Sequence, residues 1–495
     1  FRRVLFRSTG VQEQLYVEGD INGNIRDIAD FYLKVNKRQN KETLFASTQD
    51  INGSAKTHLI VKLPLKDGLK VEQVSVDVNS QISGGTAKTE KLSANNVNIN
   101  LKVNDKGYAV AGNMLATIGG KDKDYNFADV PLKVDFSKYG SPKISVDADI
   151  TNSEIAIKQL GATKAKGEKG RAELMVSGNA INKLVLDSKS INIIGSGTLN
   201  SAMDDISTLK ITSLEAGGSK LSADVTKDDS YKVDFNADVL NAIPILDSFD
   251  TDEPKKDPTK ITLNGKVAKM LFHQNQTLDN VTLKISCAAE CNNASVDSKD
   301  LKIEQSPEKL TITSDNAGKI LKMLDAYDNM DGGQLKVNGK GIGKNGYEGR
   351  VVIEDFTIQK AQVLAKILTL GSLTGIADAL QGNGINFKRL RTKFTRTDDE
   401  VAIKDFKMWG ASIGVTTDGK LNRKTNEIEF QGKIIPAYTA NTLLGKIPLL
   451  GDIIIGDEGV FAFAYSVSGK LDDPKVFVNP LSVLAPGILQ EIFQQ

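Results

Sequence analysis

Tyr231-Lys232-Val233-Asp234-Phe235-Asn236-Ala237-Asp238-Val239 (YKVDFNADV) alternates apolar and polar side chains without a break. Successive side chains of an extended strand point to opposite faces, so this stretch predicts a strand with one apolar and one polar face. Working outward, the pattern recurs in both directions. Val74, Val76 and Val78 alternate with Ser75 and Asp77, and Val97, Ile99, Leu101 and Val103 with Asn98, Asn100 and Lys102. Leu132/Val134/Phe136, Ile144/Val146/Ala148/Ile150 and Val281/Leu283/Ile285 repeat it, and so do Phe461, Phe463, Tyr465 and Val467 near the C-terminus. Turn signals such as Asn104-Asp105-Lys106-Gly107, Asn345-Gly346 and Asp418-Gly419 separate the runs. Gaps this short imply antiparallel neighbours, because parallel strands need longer crossovers. The fold class is therefore mostly β.

An apolar-x-Gly-x-apolar element recurs around Gly112, Gly178, Gly265, Gly432 and Gly469 without a fixed period. It reads either as one strand type repeated in a long sheet or as glycines marking strand ends and bulges. Helical periodicity is scarce and late. Ser314-Asp315 can cap a helix carrying Ile320, Leu321, Met323, Leu324 and Tyr327, stopped by Gly332-Gly333. A second starts near Gln359 with Val363, Leu364, Ile367 and Leu368 on one face, and resumes after Gly371 through Ile376, Ala377 and Leu380. A third, over 481–493, carries Leu484, Ile488, Leu489 and Ile492. The acidic, proline-bearing stretch DSFDTDEPKKDP divides the chain as a loop or linker at 247–258, with sheet expected over 9–246 and 259–312 and a helix-bearing region over 313–495. The basic, apolar opening FRRVLFRS (1–8) reads as a targeting remnant or a non-native segment and is set aside from the fold.

Lys and Arg total 63 against 62 Asp and Glu, a net charge of +1, so no global electrostatic footprint for nucleic acid exists. Two cysteines exclude a disulfide-dense scaffold, and two histidines, His58 and His273, leave little for metal or acid–base chemistry. Cys287 and Cys291 either close a small loop disulfide or stand as two small thiols. The loop acids Asp250, Asp252 and Glu253 read as solvated. Ile434–Gly456 comes nearest to a membrane span, but Pro436, Lys446, Pro448 and Asp452 interrupt it.

Two motifs suggest chemistry and fail on context. Gly341-Ile342-Gly343-Lys344-Asn345-Gly346 fits G-x-G-x-x-G, yet a strand rather than a helix is expected after it, so a glycine-rich hairpin is the better reading. Gly410-Ala411-Ser412-Ile413-Gly414 fits G-x-S-x-G, but both histidines precede Ser412, and strand and turn follow it. No catalytic, metal or cofactor site is expected.

The last ~180 residues resemble the C-terminal region of the AsmA-like family of bacterial envelope proteins. The resemblance rests on Asp315-Asn316-Ala317-Gly318-Lys319-Ile320-Leu321, Leu370-Gly371-Ser372-Leu373-Thr374-Gly375-Ile376 and Pro436-Ala437-Tyr438. It rests further on Leu444-Gly445-Lys446-Ile447-Pro448-Leu449-Leu450-Gly451, Val467-Ser468-Gly469-Lys470-Leu471-Asp472-Asp473-Pro474, and Val478-Asn479-Pro480-Leu481-Ser482 with Leu484-Ala485-Pro486-Gly487. Residues 9–312 match in style alone, and Gly456-Asp457-Glu458-Gly459 stands where the family often has a longer, more Gly-rich loop. The resemblance implies a long curved antiparallel sheet forming an elongated apolar groove. It implies a periplasmic protein held to the inner membrane by an N-terminal anchor, carrying phospholipid or another acyl-chain lipid toward outer-membrane components, without catalysis. The groove wall is expected at Val74, Val76, Val78, Val97, Ile99, Leu101, Val103, Tyr231, Val233, Phe235, Val239, Val281, Leu283, Ile285, Phe461, Phe463, Tyr465 and Val467. The alternatives are a periplasmic scaffold or assembly factor for outer-membrane proteins without lipid cargo, and a hydrolase or transferase whose site assembles only in three dimensions.

Overall fold

The computed structural model describes residues 5–9, 12–27, 30, 51–64, 74–88, 92–119, 125–248, 260–288, 291, 293–343, 345–370, 377–378, 380, 382, 384–436 and 463–479. Strands dominate, and among the described residues no strand pairing closes either unit into a barrel and no helix exceeds the nine of Gln362–Leu370. The chain forms two compact units, Phe1–Asp250 and Thr251–Gln495.

The first unit is an antiparallel meander. Gln12–Asn24, Ile51–Pro64, Ser75–Lys88, Leu92–Asn104, Gly107–Gly119, Tyr125–Tyr139 and Lys143–Asp149 pair in chain order. The ladder continues through Gly170–Ser177, Ala180–Ser188, Ile191–Leu199, Ile206–Ala216, Ser219–Lys227 and Tyr231–Asn241. Leu5–Thr9, from the opening set aside in the sequence, pairs with Gln12–Asn24 at the edge. A small hairpin, Glu154–Ile157 with Ala162–Lys164, leaves the meander and pairs beside Tyr125–Tyr139. A short helix, Ile243–Asp247, with Pro244 in its first turn, follows the last strand.

The second unit repeats the plan. Ile261–Leu271, Thr277–Cys287, Asn293–Asp297, Lys302–Gln305, Lys309–Ser314, Met330–Ile342 and Gly346–Ile358 pair in order. Ile385–Arg396, Glu400–Gly410, Ile413–Asn422, Glu427–Pro436, Phe463–Lys470 and Pro474–Asn479 complete it.

The helices differ in detail from the sequence reading. The first spans Ala317–Met323 and is capped by Asn316, whose side chain accepts from the Lys319 amide at 2.9 Å, one residue past the expected Ser314-Asp315 pair. Ser314 Oγ instead accepts from the Asn316 amide, and the helix ends at Leu324, short of Tyr327. The second, Gln362–Leu370, buries Ala365, Ile367 and Leu368 but leaves Val363 38% exposed. Ala377 and Leu380 are also buried. The helix expected over 481–493, Phe461 and most of 247–258 lie outside the described residues.

Candidate functional site

The alternation quoted first behaves as its chemistry demands over most of its length. Tyr231, Val233 and Phe235 are half-buried and Ala237 buried, while Lys232, Asp234, Asn236 and Asp238 are exposed. Register then aligns this face with its neighbours. Gly23, Ala55, Ile82, Ile99, Gly112, Val134, Val146, Leu174, Leu184, Gly195, Ile211, Ala223 and Phe235 are successive cross-strand partners. No polar side chain interrupts that row. At about 4.8 Å per strand it runs for roughly 60 Å. A second row lies beside it: Leu101, Val110, Phe136, Ile144, Val176, Ile181, Gly197, Leu209, Val225 and Val233. Where this row would continue, Thr57 and Ser80 hydrogen-bond to each other at 2.8 Å and so satisfy their hydroxyls on the apolar face.

The expected wall residues fall mostly on this face. Val76 and Val78 are half-buried, Val97 and Leu101 buried, and Ile99 and Val103 half-buried; Val74 stands one residue before its strand. Val239 departs from it. A bulge sets Ala237 opposite Leu221 but Val239 opposite the exposed Lys220, so Val239 turns to the polar face and Leu240, 5% exposed, takes the apolar one. Leu240 was missed because strict alternation cannot register the extra residue that a bulge inserts.

In the second unit Val281 and Leu283 are buried, Ile285 and Phe463 half-buried, and Tyr465 and Val467 buried. Leu283, Val296, Ile303, Ile312, Val337 and Val351 form one cross-strand row. Leu335, Ile353, Leu390, Met408, Val415, Ile434 and Phe463 form another. Gly432 makes room on this face. A Cβ there would stand 1.9 Å from the Thr416 carbonyl oxygen, to which the Tyr465 hydroxyl donates at 3.1 Å across the glycine.

Each unit covers part of its apolar face with a small element. In the second, Ala317, Ala365, Ile367, Leu368, Ala377 and Leu380 form one cluster with Met330, Phe356, Phe387, Met408, Ile434 and Tyr465. In the first, Ile155 and Ala162 of the hairpin pack with Val130, Ala148, Ile191, Leu214 and Ala216. Lys164 ends that hairpin with its side chain fully buried. Its Nζ donates to the carbonyl oxygens of Ser153 at 3.1 Å, Ala165 at 3.3 Å and Thr151 at 3.4 Å. Burial pulls the ammonium below the ordinary lysine value, against the opposing charges of Glu168 and Asp149. Beyond the hairpin's cover, Val134, Val146, Leu174, Leu184, Val225, Val233 and Phe235 stay half-buried.

The chemical motifs resolve into turns. Ile342 pairs with Gly346 across a hairpin, and Ser412 sits exposed in the turn between Glu400–Gly410 and Ile413–Asn422. His58 lies against Glu18 and Asp20 on the polar face of its strand, at 3.3 and 3.0 Å. Among the described residues, no group of three or more His, Cys, Asp or Glu is placed to hold a metal ion. Cys287 and Cys291 are joined in a disulfide.

The model of the YhdP protein family matches residues 142–476. The chain belongs to the YhdP family. YhdP is one of the AsmA-like, bridge-like lipid transporters, so the resemblance first carried by the C-terminal motifs extends back to residue 142. The YhdP span includes most of the second unit and, in the first, the strands from Lys143–Asp149 onward, while the apolar rows continue ahead of it to Gln12–Asn24. No curated protein and no solved structure matches the chain. YhdP membership and the large β-sheet fit a lipid-transport role.

Proposed function

We propose that the apolar rows hold phospholipid acyl chains while the headgroups remain in water, and that the chain moves lipid between the inner and outer membranes without catalysis. The observation that supports this best is the row from Gly23 to Phe235, uninterrupted by a polar side chain and half-buried over much of its length. Monomeric soluble proteins rarely expose contiguous apolar patches above a few hundred Å². Returning each acyl CH₂ to water costs about 0.8 kcal/mol. A lipid sliding along a continuous row exchanges one apolar contact for the next and avoids that cost at every step.

On the same reading the protein works in the periplasm, held to the inner membrane and delivering toward outer-membrane components. The Cys287–Cys291 disulfide supports an oxidising compartment. The test is mass spectrometry of lipids extracted from the purified chain. Stoichiometric phospholipid is expected; lipid-free protein that still complements a deletion would favour a scaffold instead.

A further inference from the structure

The polar face of the strands from Met330–Ile342 to Glu427–Pro436 is more cationic than that of Tyr231–Asn241. Along Tyr231–Asn241 the polar face carries Lys232, Asp234 and Asp238, a mixture of signs. From Met330–Ile342 to Glu427–Pro436, Lys336, Val352, Arg391, Lys407, Thr416 and Lys433 are successive cross-strand partners on the polar face. The four cations of that row form no ion pair among the described residues. Arg391 stands directly opposite Lys407, and in the next row Lys393 stands opposite Lys404. Like charges directly opposite destabilise a sheet. Two acids on this face are taken by other cations: Asp405 by Lys393 at 2.6 Å, and Glu354 by Arg389 in the row that leads to Trp409. Trp409 lies on the same face, 36% exposed, with the Arg391 guanidinium 5.8 Å from its ring centroid.

We propose that this outer face docks on an anionic phospholipid surface. Six adjacent strands at about 4.8 Å spacing give a band some 24 Å wide. Its strands are paired on both sides, so it offers a peptide no free edge. A broad cationic plane flanked by a tryptophan suits headgroup phosphates, since basic residues are drawn to anionic bilayers and tryptophan favours the membrane–water interface. The proposal concerns the face opposite the apolar rows and stands whether or not those rows hold acyl chains.

Trp409 is the single tryptophan of the chain, so its emission reports on this face directly. The full chain is mixed with vesicles of phosphatidylcholine alone or of phosphatidylcholine and phosphatidylglycerol at 3:1, and flotation and Trp409 emission are followed. Flotation with the anionic vesicles alone is expected, with a blue shift in emission, both reversed by roughly 0.5 M salt. The triple variant Lys336→Gln, Lys407→Gln, Lys433→Gln leaves Arg391 on the Trp409 ring and should lower partitioning at least about tenfold. A control losing the same charge, Lys220→Gln, Lys232→Gln, Lys302→Gln, should bind as the parent does; circular dichroism checks that both variants are folded. Equal binding to both vesicles, binding without an emission shift, a triple variant that binds as the parent does, or no binding would each overturn the proposal, as would an acidic protein bound at this face in preference to vesicles.

Discussion

Val239 and Leu240 show how far a residue's role can be read from its neighbours. Strict alternation puts Val239 with Phe235, but the bulge opposite Lys220 hands the apolar position to Leu240. No glycine or proline marks the spot, so nothing in the stretch signals the added residue. Leu240→Asp is expected to cost several kcal/mol, because it buries a carboxylate without a partner. Val239→Asp should fall within about 0.5 kcal/mol of the parent. Urea unfolding of the two variants checks this, and the reverse order would mean the strand keeps strict alternation. Lys164 gives a pH test. Burial lowers its folded pKa below the ordinary 10.5, so between the two values the unfolded chain binds more protons and stability rises with pH. Lys164→Met should lack that rise, and comparing unfolding midpoints of parent and variant at about pH 8 and pH 10 reads the difference. Equal slopes would mean that Lys164 titrates normally.

At the scale of elements, strands were legible because alternation is a local property, and helices less so because their ends depend on single hydrogen bonds. Asn316, and neither Ser314 nor Asp315, closes the first turn of Ala317–Met323, though all three residue types are good caps. Which face of Gln362–Leu370 meets the sheet was partly misread: Leu368 is fully buried, yet Val363, assigned to the same face, is 38% exposed. Leu368→Ala should therefore cost about 2–5 kcal/mol, and Val363→Ala no more than about 0.5 kcal/mol. Thermal unfolding that ranks the two equally would place the helix differently on the sheet. The hairpin Glu154–Ile157 with Ala162–Lys164 was not foreseen at all. Its packing on Ile191, Leu214 and Ala216 is a tertiary contact between segments that carry no shared local pattern.

For the whole molecule, composition and spacing were enough to expect a β-rich chain, and the C-terminal motifs pointed to the family whose model matches residues 142–476. The rows themselves were not legible. Their continuity depends on register at each ladder, and bulges such as those at Asn95/Asn98 and Ile194/Gly195 shift it. The central claim is that these rows hold acyl chains, and Phe235 at the end of the longest row tests it. In a closed core, Phe235→Asp would bury an unpaired carboxylate at a cost of several kcal/mol. Beside mobile acyl chains and water, the carboxylate can turn outward or raise its pKa, so the fold should survive. Asp234→Asn, on the polar face, serves as the control. The deciding measurement is the phospholipid-to-protein ratio by mass spectrometry for the parent, Phe235→Asp and Asp234→Asn, each shown to be folded by circular dichroism. A folded Phe235→Asp protein depleted of lipid beside a fully loaded Asp234→Asn is the expected result; a Phe235→Asp protein that unfolds, or one that keeps its full lipid load, would contradict the account.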